Sequence, residues 1–237
     1  GAVTLPLPAP PSKEFAALPE YYVEALADVL SLVARSRPEL VEQRGMEEFM
    51  VFFTVFLQSK AHVKNPYLRS RMIEALHGLM PPPEGEAGFR RVGGELGALL
   101  QAHPLVVSSL VHSLVQLYVD IEMTDRHNTF YEKFTTRYQI GEVLEYLWDL
   151  PQHRAAWRAV ADQHAYLYVR FINMMINDAQ FLLQEAMETL PRVQEMERAQ
   201  ADPQAWAQRP QQERQELEEQ LRQSRGRLKV RGRRGHV

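Results

Sequence analysis

The sequence predicts an all-α fold. Apolar residues recur at helical spacing through nearly the whole chain. Prolines fall where helices should begin or end, at Asn65-Pro66, His103-Pro104 and Pro151 among others. No alternating run of β-branched residues persists long enough to make a strand.

Each element follows from these signals. Gly1 to Pro11 is broken by prolines, and residues 1–17 read as a disordered start. Tyr21, Tyr22, Ala25, Leu26, Val29, Leu30 and Val33 keep the helical period, and Pro38 closes that segment. A second helix is expected from about Met46 to Ala61, apolar nearly all round and so set between other helices. Asn65 is an N-cap with proline at the first helical position, and the third helix carries Leu68, Met72, Ile73, Leu76 and Leu79 on one face. Pro81-Pro82-Pro83 ends it. The stretch 80–94 reads as a mobile loop, with Gly93, Gly94 and Gly97 assigned to loop as well.

His103-Pro104 starts another helix, bearing Leu105, Ser108, Leu110, Leu114, Leu117, Tyr118 and Ile121. Asn128 or Thr129 caps the next, which reaches about Trp148. Pro151 interrupts, a short helix holds Trp157, and a long one starts near Tyr166. Pro191 should kink or end that helix near Leu190. Asp202-Pro203 and Arg209-Pro210 are further starts, and Gly226 stops the last segment. The sum is about eight or nine helices of roughly two to six turns, a bundle or a stacked helical-repeat solenoid.

Composition narrows the function. At 237 residues and 45% hydrophobic the chain can bury a substantial core. A net charge of -3 argues against nucleic-acid binding through overall charge. The absence of cysteine excludes disulfides, thiolate zinc sites and thiol nucleophiles. The most apolar run, Phe49 to Leu57, is far short of the roughly 20 residues that span a bilayer. The chain therefore reads as a soluble protein with no membrane partner and no secretory leader.

The residues suggest no chemistry. The eight histidines are scattered, without metal-ligand spacing. There is no phosphate-binding loop and no nucleophile elbow. Asp120, Glu122 and Asp125 near His127 read as solvated charges at a helix end rather than metal ligands. No catalytic residue, metal or cofactor is expected.

Two segments stand apart because they set polar groups among large apolar ones. The first is Phe130-Tyr131-Glu132-Lys133-Phe134-Thr135-Thr136-Arg137-Tyr138-Gln139-Ile140, running on to Trp148. The second is Tyr168-Val169-Arg170-Phe171-Ile172-Asn173-Met174-Met175-Ile176-Asn177-Asp178, then Phe181-Leu182-Leu183. Asn173 and Asn177 share a helix face, and a buried hydrogen-bond network is expected of them, with a partner-binding ridge as the alternative. Lys133 and Arg137 suggest surface pairs with Glu132 or Glu142. Tyr138 and Trp148 suggest core anchors. The basic tail, 225–237, reads as disordered; contact with nucleic acid is its alternative.

These strings resemble the helical core of the ubiquitin-chain elongation factors, the large U-box ubiquitin ligases. Leu18-Pro19-Glu20-Tyr21-Tyr22-Val23-Glu24, Lys64-Asn65-Pro66-Tyr67-Leu68-Arg69, and Trp206 with Pro210 add to the match, which covers about 18–224. The resemblance implies an elongated stack of armadillo-like helical repeats, cytoplasmic and nuclear. It implies ligases that extend ubiquitin chains on already ubiquitinated substrates, in proteasomal and endoplasmic-reticulum-associated degradation, beside an AAA-type segregase ATPase. The ubiquitin-conjugating enzyme would be engaged only through a U-box, a pattern these residues do not show, so the chain reads as a core fragment. Candidate structural or docking residues are Arg137, Tyr138, Arg170, Asn173, Asn177 and Asp178. The alternative is a non-enzymatic helical-repeat adaptor for a protein partner.

Overall fold

A computed structural model describes residues 5–41, 45–80, 94–121 and 127–201, with isolated positions between 206 and 219. The expected loop between Met80 and Gly94 and the basic tail lie outside the described residues. All regular structure among those described is helical. Residues up to Ile172 belong to one compact unit and those from Asn173 to a second.

The first unit opens with α1 (Lys13–Ala16), inside the stretch expected to be disordered. Ser12 caps it by accepting from the Phe15 amide at 3.2 Å, and the Phe15 ring stacks on Phe56 at 5.4 Å. Helix α2 (Tyr21–Ser36) follows, then α3 (Pro38–Val41), α4 (Glu47–Phe56) and α5 (Pro66–Gly78). Asn65 caps α5 as its sequence requires: its side-chain oxygen accepts from the Tyr67 amide at 3.0 Å. Its amide nitrogen donates to Glu20 at 3.0 Å and so ties α5 to the start of α2.

Helices α6 (Gly94–Ala102), α7 (Pro104–Asp120), α8 (His127–Trp148) and α9 (Pro151–Gln163) come next. His103 caps α7, accepting from the Val106 amide at 3.4 Å. The final helix, α10 (Ala165–Ala201), begins in the first unit and crosses into the second.

Packing in the first unit skips sequence neighbours. α5 packs against both α2 and α8, while α7 packs against both α4 and α9. Two such rows, joined where α4 meets α5 and α7 meets α8, are how stacked helical repeats share one core. The centre of that core is α7, whose Leu110, Val111, Leu114, Val115 and Leu117 are fully buried. Burying each contributes roughly 1.5–3 kcal/mol. Ser113 on the same helix donates to the Thr54 and Ser109 carbonyls, so the polar group buried between α4 and α7 is satisfied.

Several expectations need correction. α4 ends at Phe56, not near Ala61. Beyond it Ser59 and His62 hydrogen-bond side chain to side chain at 2.8 Å, a local alternative to continuing the helix. Gly97 is not in a loop but is buried within α6, which starts at Gly94 with φ +58°, a conformation glycine tolerates. The α2 face chosen from the sequence is buried only in part, at Leu30. Tyr21, Tyr22 and Val29 are more than half exposed, and the buried positions are Ala27 and Leu30.

Pro191 does not end α10, which runs 37 residues, about ten turns. Proline there costs one amide donor to the Met187 carbonyl. Pro191 and Met187 both lie on the solvent side, where water can take that carbonyl.

Candidate functional site

The two polar-aromatic segments meet in the first unit, around the last turn of α7. Arg137 projects from α8 into the core and is 4% exposed. Its Nε donates to the Tyr118 carbonyl at 3.3 Å and its Nη2 to the Ile121 carbonyl at 3.0 Å. Both carbonyls lie at the C-terminal end of α7, where helix acceptors outnumber helix donors. The guanidinium also lies 4.9 Å over the Tyr118 ring. A cation is well placed here, because a helix C-terminus carries partial negative charge. Arg137 is therefore a core residue and not the surface one that its sequence neighbours suggested.

A second arginine converges on the same turn. Arg69 of α5, 1% exposed, donates from Nη1 to Asp120 at 3.2 Å. Gln116 donates to the other Asp120 oxygen at 2.9 Å. Asp120 at a helix C-terminus opposes the dipole, and Arg69 offsets it. Asp120 is thus a held ion-pair partner and not a solvated charge.

From Tyr118 a column of rings runs toward the surface. Phe171 of α10 stands edge-on to Tyr118 at 5.0 Å and to Trp157 at 6.0 Å. Trp157 meets Trp148 edge-on at 5.9 Å, and its Nε1 donates to the Tyr168 hydroxyl at 3.3 Å. Edge-to-face geometry at these distances is what ring quadrupoles favour. The column joins α7, α8, α9 and the start of α10. Trp148, expected as a core anchor, is its outer end and is 47% exposed.

Tyr138 takes part in a smaller cluster. Its hydroxyl donates to Glu142, whose other carboxylate oxygen pairs with His77 of α5. Glu142 thereby crosslinks α5 and α8. All three are half-buried. The arrangement fastens α5 to α8.

The remaining candidates are distributed differently. Arg170 is exposed, with its guanidinium 5.9 Å over the Tyr166 ring. In the second unit Asn173 and Asn177 are exposed and Asp178 is half-buried. The buried network expected of Asn173 and Asn177 is not formed. Both side chains are exposed, where water is available to their amides.

Two further histidines are set by their surroundings. His153 of α9 is buried and donates from Nε2 to the Leu100 carbonyl at 2.6 Å. Burial holds its pKa below the usual histidine value, and the bond to Leu100 partly opposes this. His112 is also held low, first by burial and then by the nearby His164. Among the described residues no three His, Asp or Glu side chains come together as a metal site. No single described helix is long and apolar enough to cross a membrane.

Sequence reasoning missed Arg69 and Tyr118. A usable signal existed. Arg69 occupies the same stripe as Met72, Ile73 and Leu76, and Arg137 the same stripe as Ile140, Leu144 and Leu147. An arginine on the core stripe of a helix must reach carbonyls or a carboxylate.

Comparison with known proteins places the sequence in a family. The family model described as ubiquitin elongating factor core matches residues 1–232. The chain is 37% identical over 217 residues to the probable ubiquitin conjugation factor E4 of Arabidopsis thaliana, a match covering 91% of this chain and 20% of that protein. It is 30% identical to ubiquitin conjugation factor E4 A of Bos taurus, over 81% of this chain and 19% of that protein. It is 28% identical to the E4 ubiquitin-protein ligase UFD2 of Saccharomyces cerevisiae, over 74% of this chain and 18% of that protein. The chain spans about one fifth of the length of these relatives.

Proposed function

The chain belongs to the ubiquitin elongating factor core family, and from that premise we propose that it is scaffold for ubiquitin-chain elongation. The observation that carries the proposal is the extent of the family match, residues 1–232. The site's chemistry supports a scaffold role. Arg69 and Arg137 are spent on the α7 terminus, and Glu142 on joining α5 to α8. A ligase of this kind promotes transfer by holding a charged conjugating enzyme near its acceptor, which is catalysis by proximity. The protein supplies position, not an acid, base or nucleophile.

The proposal extends to partners and place. The acceptor is a substrate already carrying ubiquitin and destined for the proteasome, including substrates of endoplasmic-reticulum-associated degradation. The conjugating enzyme is engaged through a U-box. An AAA-type segregase ATPase is the partner that passes substrates along, in cytoplasm and nucleus. Asn173 and Asn177, exposed and one turn apart, are the proposed docking pair in the second unit.

The test is reconstitution with activating enzyme, conjugating enzyme, ubiquitin and a ubiquitin-primed substrate. A scaffold adds no chains above the control without it. Chains lengthened by this polypeptide alone would show that it recruits charged enzyme itself, and the scaffold reading would fail.

A further inference from the structure

His112 and His164 stack with centroids 4.4 Å apart and planes 28° from parallel. His112 lies on α7 and is half-buried; His164 is exposed and forms the turn between α9 and α10. We infer that this stack is a proton-operated latch on the turn that launches α10.

The geometry gives the latch its parts. His112 shares a 3.0 Å hydrogen bond with Gln58, which follows α4. In the neutral tautomer that donates from Nδ1, this fixes the ring face toward His164. His164 in turn closes both helices. Its amide donates to the Val160 carbonyl at 2.9 Å, and its carbonyl accepts from the Tyr168 amide at 3.0 Å. Tyr168 then holds Trp157 through its hydroxyl, and Phe171 one turn on completes the aromatic column.

The charge environment decides the direction. From the α4 side His112 meets the neutral Gln58, and from the α9–α10 turn it meets His164. No charged group from α6 or α8 is bonded to it among the described residues, and neither ring has a carboxylate partner there. Two imidazolium charges at this separation repel by more than thermal energy even in water. Burial and the nearby His164 hold the His112 pKa below the usual histidine value. With both rings charged the stack sets two like charges face to face, and the rings part. The turn then loses its support on α7, and the first turn of α10 opens.

The test is proton NMR of the two ring Cε1 positions from pH 8 to 5, with amide exchange at Tyr168 corrected for its intrinsic rate. Exchange at Tyr168 should rise severalfold between pH 7.5 and 5.5. His112→Gln should abolish that rise. His164→Asn, at an exposed position and so benign to folding, should move the His112 titration to higher pH. An unmoved His112 titration in His164→Asn would overturn the latch. So would Tyr168 exchange that is flat with pH in the native chain, or that still rises in His112→Gln.

Discussion

Replacing Arg137 by Met keeps the aliphatic stem in place and removes the guanidinium. The substitution removes the hydrogen bonds that the guanidinium gives to the Tyr118 and Ile121 carbonyls at 3.3 and 3.0 Å. A hydrogen bond from a charged group contributes about 1.5–3 kcal/mol. Loss of the stack on Tyr118, with centroid distance 4.9 Å, adds about 0.5–2 kcal/mol. Relief from burying a charge works the other way, by an effective few kcal/mol. The net expectation is a loss of about 2–4 kcal/mol, because two charge-assisted hydrogen bonds and the ring stack are lost together against the relief of one buried charge. Arg137→Lys keeps the charge but cannot fork to two carbonyls, so about half that loss is expected. The assay is urea unfolding followed by circular dichroism, with both variants compared at equal slope. If Arg137→Met unfolds within about 0.5 kcal/mol of the native chain, the range of an ordinary surface change, the claim that this arginine holds the α7 terminus is refuted.

Other outcomes follow from the same geometry. Phe171→Ala should cost about 3–5 kcal/mol in the same unfolding assay, since Phe171 is buried against Tyr118 and Trp157. Asn177→Ala should change stability by less than about 0.5 kcal/mol, because the residue is exposed; a larger loss would restore the buried network. Stability should fall on acidification because His153 is held neutral by burial. A histidine with a depressed folded pKa contributes in full above its unfolded pKa, near 6.5, and the contribution fades as pH drops from there toward the folded value. Urea midpoints at pH 7.5 and 5.5 measure this, and His153→Gln should flatten the change.

The helical class was legible because the strongest signals were local. Asn65 and His103 cap their helices by bonds to amides two and three residues on, so the caps could be read from short strings. The failures were tertiary. Tyr21, Tyr22, Val29 and Leu30 share helical spacing, but of these only Leu30 is buried, together with Ala27 on the helix that packs against α5. Periodicity gives a face and does not say which face finds a partner. Pro191 was read by a rule that assumes a broken bond is costly, and on the solvent side of α10 it is cheaper. In the site, the meeting of the two motif segments depends on Tyr118 and Trp157, which lie outside the first segment and before the second. No string contains that juxtaposition. The functional family, by contrast, was legible from ordered strings spread along the chain, and the match over residues 1–232 agrees with it.

The central claim is that this helical stack is the scaffold part of a chain-elongating ligase. The measurement that tests it most directly joins the chain to a U-box and follows chain length on a ubiquitin-primed substrate. The control carries the same U-box on an unrelated all-α scaffold of similar size. The account predicts longer chains from the fusion than from the control, with Arg137→Met reducing the gain at temperatures where that variant begins to unfold. Equal chain lengths from the two fusions would contradict it, because the U-box alone would then account for the activity.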